Sequence, residues 1–329
     1  MENTVVVTGG AGFIGSHLCR RLLSEGHRVI CVDNFLTGRR ANIDALLRHD
    51  RFALQVGDVA DLADMREVPA VAGRIDAVLH LASPASPIDY QRHPCETLRA
   101  GGPGTLAALD LALRHRARFL LASTSETYGD PLVHPQPESY WGHVNPVGPR
   151  SVYDEAKRYA EAATAAYRRV HGLSTIIVRL FNTYGPGMRR DDGRAVPAFI
   201  DQALRGQPLT VAGDGSQTRS LCYIDDMVDG LTAALAADHG GPVNLGNPIE
   251  MSVLELARLV RDVAGSSSGI EFVARPQDDP CRRRPDTALA RAVLGWEPLV
   301  PPREGIHRTV AWFRAAQGRT TTRTAATTA

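Results

Sequence analysis

The chain has almost no charge excess: 37 Lys and Arg against 36 Asp and Glu leave +1 over 329 residues. A protein that docks on nucleic acid or an anionic membrane surface concentrates positive charge, so neither is an expected partner. Cysteine is scarce and scattered. The five copies, Cys19, Cys31, Cys95, Cys222 and Cys281, lie far apart with no CxxC. That set argues against a disulfide framework and against a zinc site, and no metal is expected. No apolar run approaches the length that spans a bilayer. The first residues enter Val5-Val6-Val7 with no charged leader or small-residue cleavage site before them. A reducing cytoplasm is the expected compartment. Internal repeats are lacking too. At 43% hydrophobic and 22% charged, the rest is ordinary for a soluble globular protein. The length suits one large domain or two modest ones.

What is present, first of all, is a nucleotide fingerprint. Thr4–Val7 reads as a buried parallel strand. Gly9-Gly10-Ala11-Gly12-Phe13-Ile14-Gly15 follows at once, and a helix then runs through Ser16–Ser24. Strand, glycine turn and helix are the context that GxxGxxG needs. One glycine makes the tight turn, one lets backbone approach a pyrophosphate, and one lets helix pack on strand. The phosphates belong at the helix N-terminus, where free N–H groups and the dipole favour anions. A second strand, Arg28–Val32, ends at Asp33 and Asn34. A carboxylate there would accept from a ribose 2′-hydroxyl and repel a 2′-phosphate, so NAD is expected rather than NADP. Arg39-Arg40 could attract a phosphate, but read better as the solvated start of a helix.

Strands and helices keep alternating. Arg51–Val56 is a strand, followed by Gly57-Asp58-Val59 where an adenine could rest. Ile75–Leu81 is another, leading into Ala82-Ser83-Pro84-Ala85-Ser86-Pro87; Glu96–His115 is helical and Arg118–Ala122 is a strand. Repeated βα units predict an α/β fold, a Rossmann-type doubly wound parallel sheet. Ligands bind at the carboxyl ends of such strands, where Gly9, Asp33, Asp58, Ala82–Ser86 and Thr124–Glu126 all fall. Residues 1–180 are expected to form the NAD-binding domain. Residues 181–317, with short helices and strands (among them Val243–Leu245), form a smaller α+β substrate lobe. Within it Met188–Gly193 reads as a mobile loop and Gly305–Ala316 as the last helix. Residues 318–329, only Arg, Thr and Ala after the glycine, are expected to be disordered.

Late in the first domain runs a chemically loaded stretch. Pro131–Arg150 is a long loop rich in Pro, Gly and His, of the kind that tends to be functional; Trp141 and the histidines in it are expected to pack. The helix Ser151–His171 carries Tyr153 and Lys157, four apart and so on one face. A fixed ammonium beside a phenol favours the phenolate, which makes a tyrosine a usable general base.

The chain resembles the extended short-chain dehydrogenases/reductases that modify nucleotide sugars, and within them the UDP-glucuronate decarboxylase (UDP-xylose synthase) family. The resemblance runs from about Thr4 to Phe313. It rests on His80–Pro87, Ala122–Glu126, Tyr128–Pro131, Tyr140–Pro146, Asp192–Arg194, Gly215–Arg219, Val243–Pro248, Gln277–Pro280 and Leu294–Pro298. The glycine fingerprint and Tyr-xxx-Lys mark only the superfamily; Thr124-Ser125-Glu126 with the long loop is more specific. Some positions depart from the pattern. Gly101 stands where the family usually has the asparagine of Asn-x-x-Gly-Thr, Thr127 replaces a valine, and Cys281 and Arg284 replace a polar residue and a lysine.

The resemblance implies the following chemistry. NAD accepts a hydride from C4 of UDP-glucuronate while Tyr153 takes the hydroxyl proton, Lys157, aided by the positive nicotinamide, holds the phenol's pKa down and Thr124 binds the oxygen. The 4-keto acid loses CO2, C5 is protonated, and the hydride returns. Gly9, Gly12, Phe13, Ile14, Gly15, Asp33, Asn34, Asp58, Val59, Leu81 and Ala82, with Tyr153 and Lys157, would hold the cofactor. Pro84, Ser86, Tyr90, Asn182, Arg194, Gln217, Arg219 and Arg283 would hold the substrate. Ser125, Glu126 and Arg283 would surround the carboxylate. Glu126 beside a second carboxylate would have a raised pKa and could donate a proton or hold a water; alternatively it is ionised and pairs with Arg283. A homodimer through the Glu96–His115 and Ser151–His171 helices is also implied. The competing readings are a 4-epimerase on the same uronate, a 4,6-dehydratase (which usually has Asp-Glu where this chain has Ser125-Glu126), and a non-catalytic NAD-binding regulator.

Overall fold

The structure is a computed structural model that describes residues 3–61 and 73–327, the stretch 318–327 by its backbone alone. Its centre is a seven-stranded sheet in which every neighbouring pair is parallel. From one edge to the other the strands are Pro242–Leu245, Thr175–Leu180, Arg118–Thr124, Ala77–His80, Thr4–Thr8, Arg28–Asp33 and Phe52–Val56. Chain order therefore reverses between Thr4–Thr8 and Ala77–His80. The loops on either side of that point diverge and leave a crevice at the carboxyl ends. Val5–Val7, Val29–Val32, Val78 and Leu79, and Phe119–Leu121 are almost wholly buried. Strands covered on both faces need such continuous apolar runs rather than alternation.

The strand Val243–Leu245, expected in the smaller lobe, instead extends the large sheet beside Thr175–Leu180. A run of three apolar or amide side chains has no periodicity to say which sheet it joins. The helix expected over Glu96–His115 is interrupted. Pro94–Arg99 and Thr105–His115 are α-helical, and Ala100–Gly104 between them is a π-helical turn. Gly101-Gly102-Pro103-Gly104 explains the interruption, because Pro103 donates no hydrogen bond and the glycines tolerate the wider turn.

Beyond the sheet, Leu209–Ala212 pairs with Ile270–Val273, and Thr218–Ser220 with Glu250–Ser252. Helices Ala195–Leu204 and Val253–Val263 pack on them and on each other. Met188–Gly193 is tied down by ion pairs rather than left loose: Arg189 grips both oxygens of Asp89 at 2.7 Å, and Arg190 reaches Asp201 at 3.0 Å. The last helix runs Pro302–Thr327. Its backbone continues through residues expected to be disordered, since elongating a formed helix costs far less than starting one. Residues 328 and 329 lie outside those described.

Candidate active site

Backbone builds one half of the crevice. Gly9 has φ +72, and a side chain there would meet Ala82 N at 2.8 Å. A Cβ on Gly15 would lie 2.2 Å from Gly9 O. Both sites are therefore closed to anything but glycine, and the space above the turn stays free. The helix Phe13–Ser24 starts with Gly12 as its cap and no side chain bonds its first amides, so they are left for an anion. Asp33, buried at the end of its strand, accepts from Ala11 N at 2.9 Å and Phe35 N at 2.8 Å. Burial raises its pKa, and these bonds work against the rise. One carboxylate thus holds the turn while its remaining lone pairs face the crevice. Asn34 donates to Asp58 at 3.2 Å. Phe13, Ile14, Val59, Leu81 and Ala82 complete this half of the wall. Arg39 is not the solvated residue expected. It lines the crevice, donates to Gly187 O at 2.9 Å, and keeps a buried Nε without a partner.

Side chains build the other half. The helix Ser151–His171 lies against Arg118–Thr124 and brings Tyr153, Lys157, Thr124 and Ser125 to one wall. Tyr153 stacks on Tyr90, with ring centroids 5.2 Å apart and planes 5° from parallel. The Tyr153 pKa is pushed up to about 12 by burial, with Thr124's hydrogen bond pulling the other way. Lys157 donates to Ala122 O at 2.8 Å and sits 6.0 Å from the Tyr153 ring centroid. Its own pKa is lowered to about 8 by desolvation. Lys157 is expected to draw the phenol toward working pH; burial instead raises it.

The carboxylate-binding end is a charge cluster. Glu126 pairs with Arg283 through Oε1 and with Arg150 through Oε2, the latter at 2.8 Å. Burial would raise its pKa, but the Arg283 and Arg150 guanidiniums overcome this and hold it down to about 2. Glu126 is therefore ionised and paired with Arg283, the alternative considered from sequence. Arg283 also donates to Gly129 O at 3.1 Å. Arg219 is 13% exposed and held by both oxygens of Asp279 at 2.8 Å, so the cation expected to meet a diphosphate is already paired. Gln217 is directed at Ala212 O, 2.8 Å away. Tyr90, Gln217, Arg219 and Arg283 stand behind the crevice wall. Pro84, Ser86, Asn182 and Arg194 line it, Arg194 donating to Ala85 O at 2.7 Å.

Sequence reasoning missed Arg150, Asp154 and Asp279. Arg150 sits one turn before Tyr153, which was the one available hint that it faces the same site. Asp279 carries no local signal, since its partner Arg219 is 60 residues away. Trp141, expected to pack, is 89% exposed. Its loop is held by backbone instead: Arg158 donates to Trp141 O at 2.9 Å, and His143 N to Tyr128 O at 2.9 Å.

Residues 5–246 match the NAD dependent epimerase/dehydratase family. The chain belongs to that family. It is 50% identical over 310 residues to UDP-glucuronic acid decarboxylase 1 of Xenopus tropicalis, covering 94% of this chain and 72% of that one. It is likewise 50% identical over 315 residues to UDP-glucuronic acid decarboxylase 5 of Arabidopsis thaliana, covering 95% and 90%. Among solved structures, UDP-glucose 4-epimerase of Thermotoga maritima with UDP-glucose is similar at 29% identity and a TM-score of 0.88, over 95% of this chain and 99% of that one.

Proposed function

We propose that this enzyme converts UDP-glucuronate to UDP-xylose and CO2, with NAD recycled in the site. The observation that carries this reading is the Glu126–Arg283–Arg150 cluster beside Tyr153, together with the decarboxylase names of relatives at 50% identity. The residues present fit NAD. The closed-off Cβ positions at Gly9 and Gly15 clear a cradle, the helix amides above it are free, and Asp33 stands at the rim. Bound NAD supplies the hydride acceptor for C4, returns the hydride later, and adds a positive charge that favours the Tyr153 phenolate.

The chain's own residues do the rest. Tyr153 takes the C4 hydroxyl proton, with Thr124 fixing that oxygen. Lys157 stays on Ala122 O and adds its charge beneath the phenol. Arg283 offers the sugar carboxylate a fork geometry, while Glu126, itself held by Arg150, tethers that guanidinium. The tether matters because tight binding of the ground-state carboxylate would not speed its loss. Once C4 is a ketone, the carboxylate on C5 is β to it, and the electrons of the breaking bond pass into the carbonyl. Asn182, Arg194 and, once Asp279 yields, Arg219 serve the nucleotide diphosphate. Arginine suits phosphate by the same fork.

Residues 1–180 then hold the cofactor and the base, and residues 181–317 hold most of the nucleotide-sugar contacts. A cytoplasmic homodimer fits the remaining surface. Leu98 and Tyr159, 46% and 47% exposed, lie on the two packed helical segments that the resemblance places at the interface. The deciding assay gives purified protein UDP-glucuronate and NAD, and scores CO2 and sugar product by NMR. UDP-xylose with matching CO2 is expected. A C4-inverted acid without CO2 would make the enzyme an epimerase, a 4-keto-6-deoxy product from a nucleotide-glucose a dehydratase, and no turnover a regulator.

A further inference from the structure

The stretch Thr124-Ser125-Glu126 serves two ends of the sugar, Thr124 at the C4 oxygen and Glu126 at Arg283. One cation outside the crevice anchors it on both sides. Arg179 stands directly opposite Ser123 in the sheet. Its Nε and one terminal nitrogen donate to the two oxygens of Glu161, at 2.9 and 2.7 Å. Ser123 Oγ, just before the stretch, donates to the same Glu161 at 2.6 Å. The other terminal nitrogen of Arg179 donates to the Tyr128 hydroxyl at 3.0 Å. Tyr128 closes the 3-10 turn that contains Glu126, and its ring lies 4.8 Å from the guanidinium carbon. The Arg179 and Glu161 side chains are 11% and 14% exposed.

We propose that Arg179 is a positioning residue for this reaction: it clamps the Thr124–Glu126 stretch at both ends and ties it to the Tyr153–Lys157 helix. The tasks of Thr124 and Glu126 rest on the decarboxylase reading above, whereas the clamp rests on contacts alone. Glu161 lies one helical turn beyond Lys157. Lys157 holds Ala122 O while Glu161 holds the next residue, Ser123, so the catalytic helix grips the strand end twice. The same chain of bonds continues to the far side of the site. The Tyr128 hydroxyl donates to Asn244 Oδ1 at 2.8 Å. Asn244 is fully buried, and its Nδ2 donates to Gln136 O and Asp286 O at 3.0 and 3.1 Å. Gln136 Oε1 accepts from Arg284 N at 2.8 Å. The segment that carries Arg283 is thus set from behind by the network that sets Glu126 in front.

The chemistry of this clamp calls for a guanidinium. Arg179 makes four bonds in three directions, to Glu161, to Tyr128 and to Glu138 O at 3.1 Å. An ammonium has no planar fork with which to meet a carboxylate twice and a phenol once. Neither Arg179 nor Glu161 lines the crevice, so the pair acts on the reaction only through the residues it holds. What it maintains is the register between Thr124, Glu126 and the helix that carries Tyr153. A displacement of about 1 Å in such a constellation costs about a hundredfold in rate.

The test is Arg179→Lys in the NAD-loaded enzyme, a change that keeps the charge and loses the fork. The kcat for UDP-xylose should fall about tenfold or more, while KM for UDP-glucuronate and the NAD content of the purified protein stay within about twofold. An unchanged kcat overturns the proposal. So does NAD content that falls in step with kcat, which would make Arg179 merely structural. The single arms decide should Arg179→Lys fail to fold. Tyr128→Phe keeps the ring and frees only the Glu126 end. In a single turnover with carboxyl-labelled UDP-glucuronate, NADH should then accumulate ahead of labelled CO2, beyond the wild-type level. Ser123→Ala frees the Thr124 end, so NADH formation itself should slow about threefold or more, with CO2 keeping pace. Identical time courses in the two variants overturn the proposal. Absence of any CO2 from wild type would instead sink the decarboxylase reading, and NADH formation in Ser123→Ala and Arg179→Lys would still judge the clamp.

Discussion

The two halves of the crevice recognise their ligands by different means. The cofactor half is made of backbone: a glycine turn, a bare helix N-terminus, and Asp33 bonded to two amides. The sugar half is made of long charged side chains, each already matched by a carboxylate of the same chain. Glu126 holds Arg283 and Arg150, Asp279 holds Arg219, and Asp89 holds Arg189. A backbone site is ready when empty. A side-chain site of buried cations cannot be left empty, because an unpaired buried charge is far costlier than a paired one. It must be filled by internal anions that a substrate then displaces or joins.

The largest break between the halves should come from Tyr153→Phe. The phenyl ring still stacks on Tyr90, but the proton acceptor is gone. Turnover should fall by about a hundredfold or more, while NAD content of the purified protein is unchanged. Undiminished CO2 release would remove Tyr153 from its role. Gly15→Ala attacks the other half. Its Cβ would press on the Gly9 carbonyl at 2.2 Å, and backbone cannot move aside as a side chain can. A loss of about 3 kcal/mol is expected from overpacking, with NAD adding less to the melting temperature than it does in wild type. Full retention of that NAD-dependent rise would show that the turn can relax.

The same contrast explains what was legible in the sequence. The glycine turn, Asp33 and the Tyr153–Lys157 spacing are local patterns, so periodicity and a few residues of context located them. The helix Ser151–His171 was read to its ends, because amphipathic spacing is itself local. Arg283 sits 157 residues from Glu126, and Asp279 sits 60 from Arg219. Nothing in either segment encodes the meeting, and only the resemblance placed Arg283 near the site. The direction of the Tyr153 shift was also out of reach. It depends on how much water folding excludes, and the sequence does not print burial.

Glu126 and Asp154 turn the charge cluster into a pair of opposite pH signatures. Glu126 has its pKa held down to about 2 by Arg283 and Arg150 against the burial that would raise it. Its stabilisation is present above its unfolded pKa and is lost as pH falls from about 4 through about 2. Asp154 is raised to about 7 by burial and Glu126. Below about pH 4 it is protonated whether folded or not. As pH rises the unfolded chain ionises first, so stability falls between about 4 and 7 and then levels off. The lower window carries about 3 kcal/mol and the upper about 4 kcal/mol. Melting curves across pH should lose the upper slope in Asp154→Asn and the lower one in Glu126→Gln. Asp154→Asn should also be more stable than wild type at about pH 8. The same slopes in both variants as in wild type would mean that other groups set them.

The smallest predicted effect tests the departure at Gly101. A Cβ there would lie 2.6 Å from the Ala156 Cβ and 2.9 Å from its carbonyl oxygen. An asparagine at position 101 has no room while residue 156 is alanine. The interface between the π-helical turn and the catalytic helix is therefore a matched pair, and Ala156 precedes Lys157. Gly101→Asn alone should cost about 2 kcal/mol by overpacking and slow turnover by displacing Lys157. Adding Ala156→Gly removes the methyl that clashes most. The double variant should recover at least about 1 kcal/mol relative to the sum of the single changes, the range expected for residues in contact. Thermal melts of the four proteins close the cycle. Strict additivity would show that the carbonyl contact, which Ala156→Gly leaves in place, sets the spacing instead.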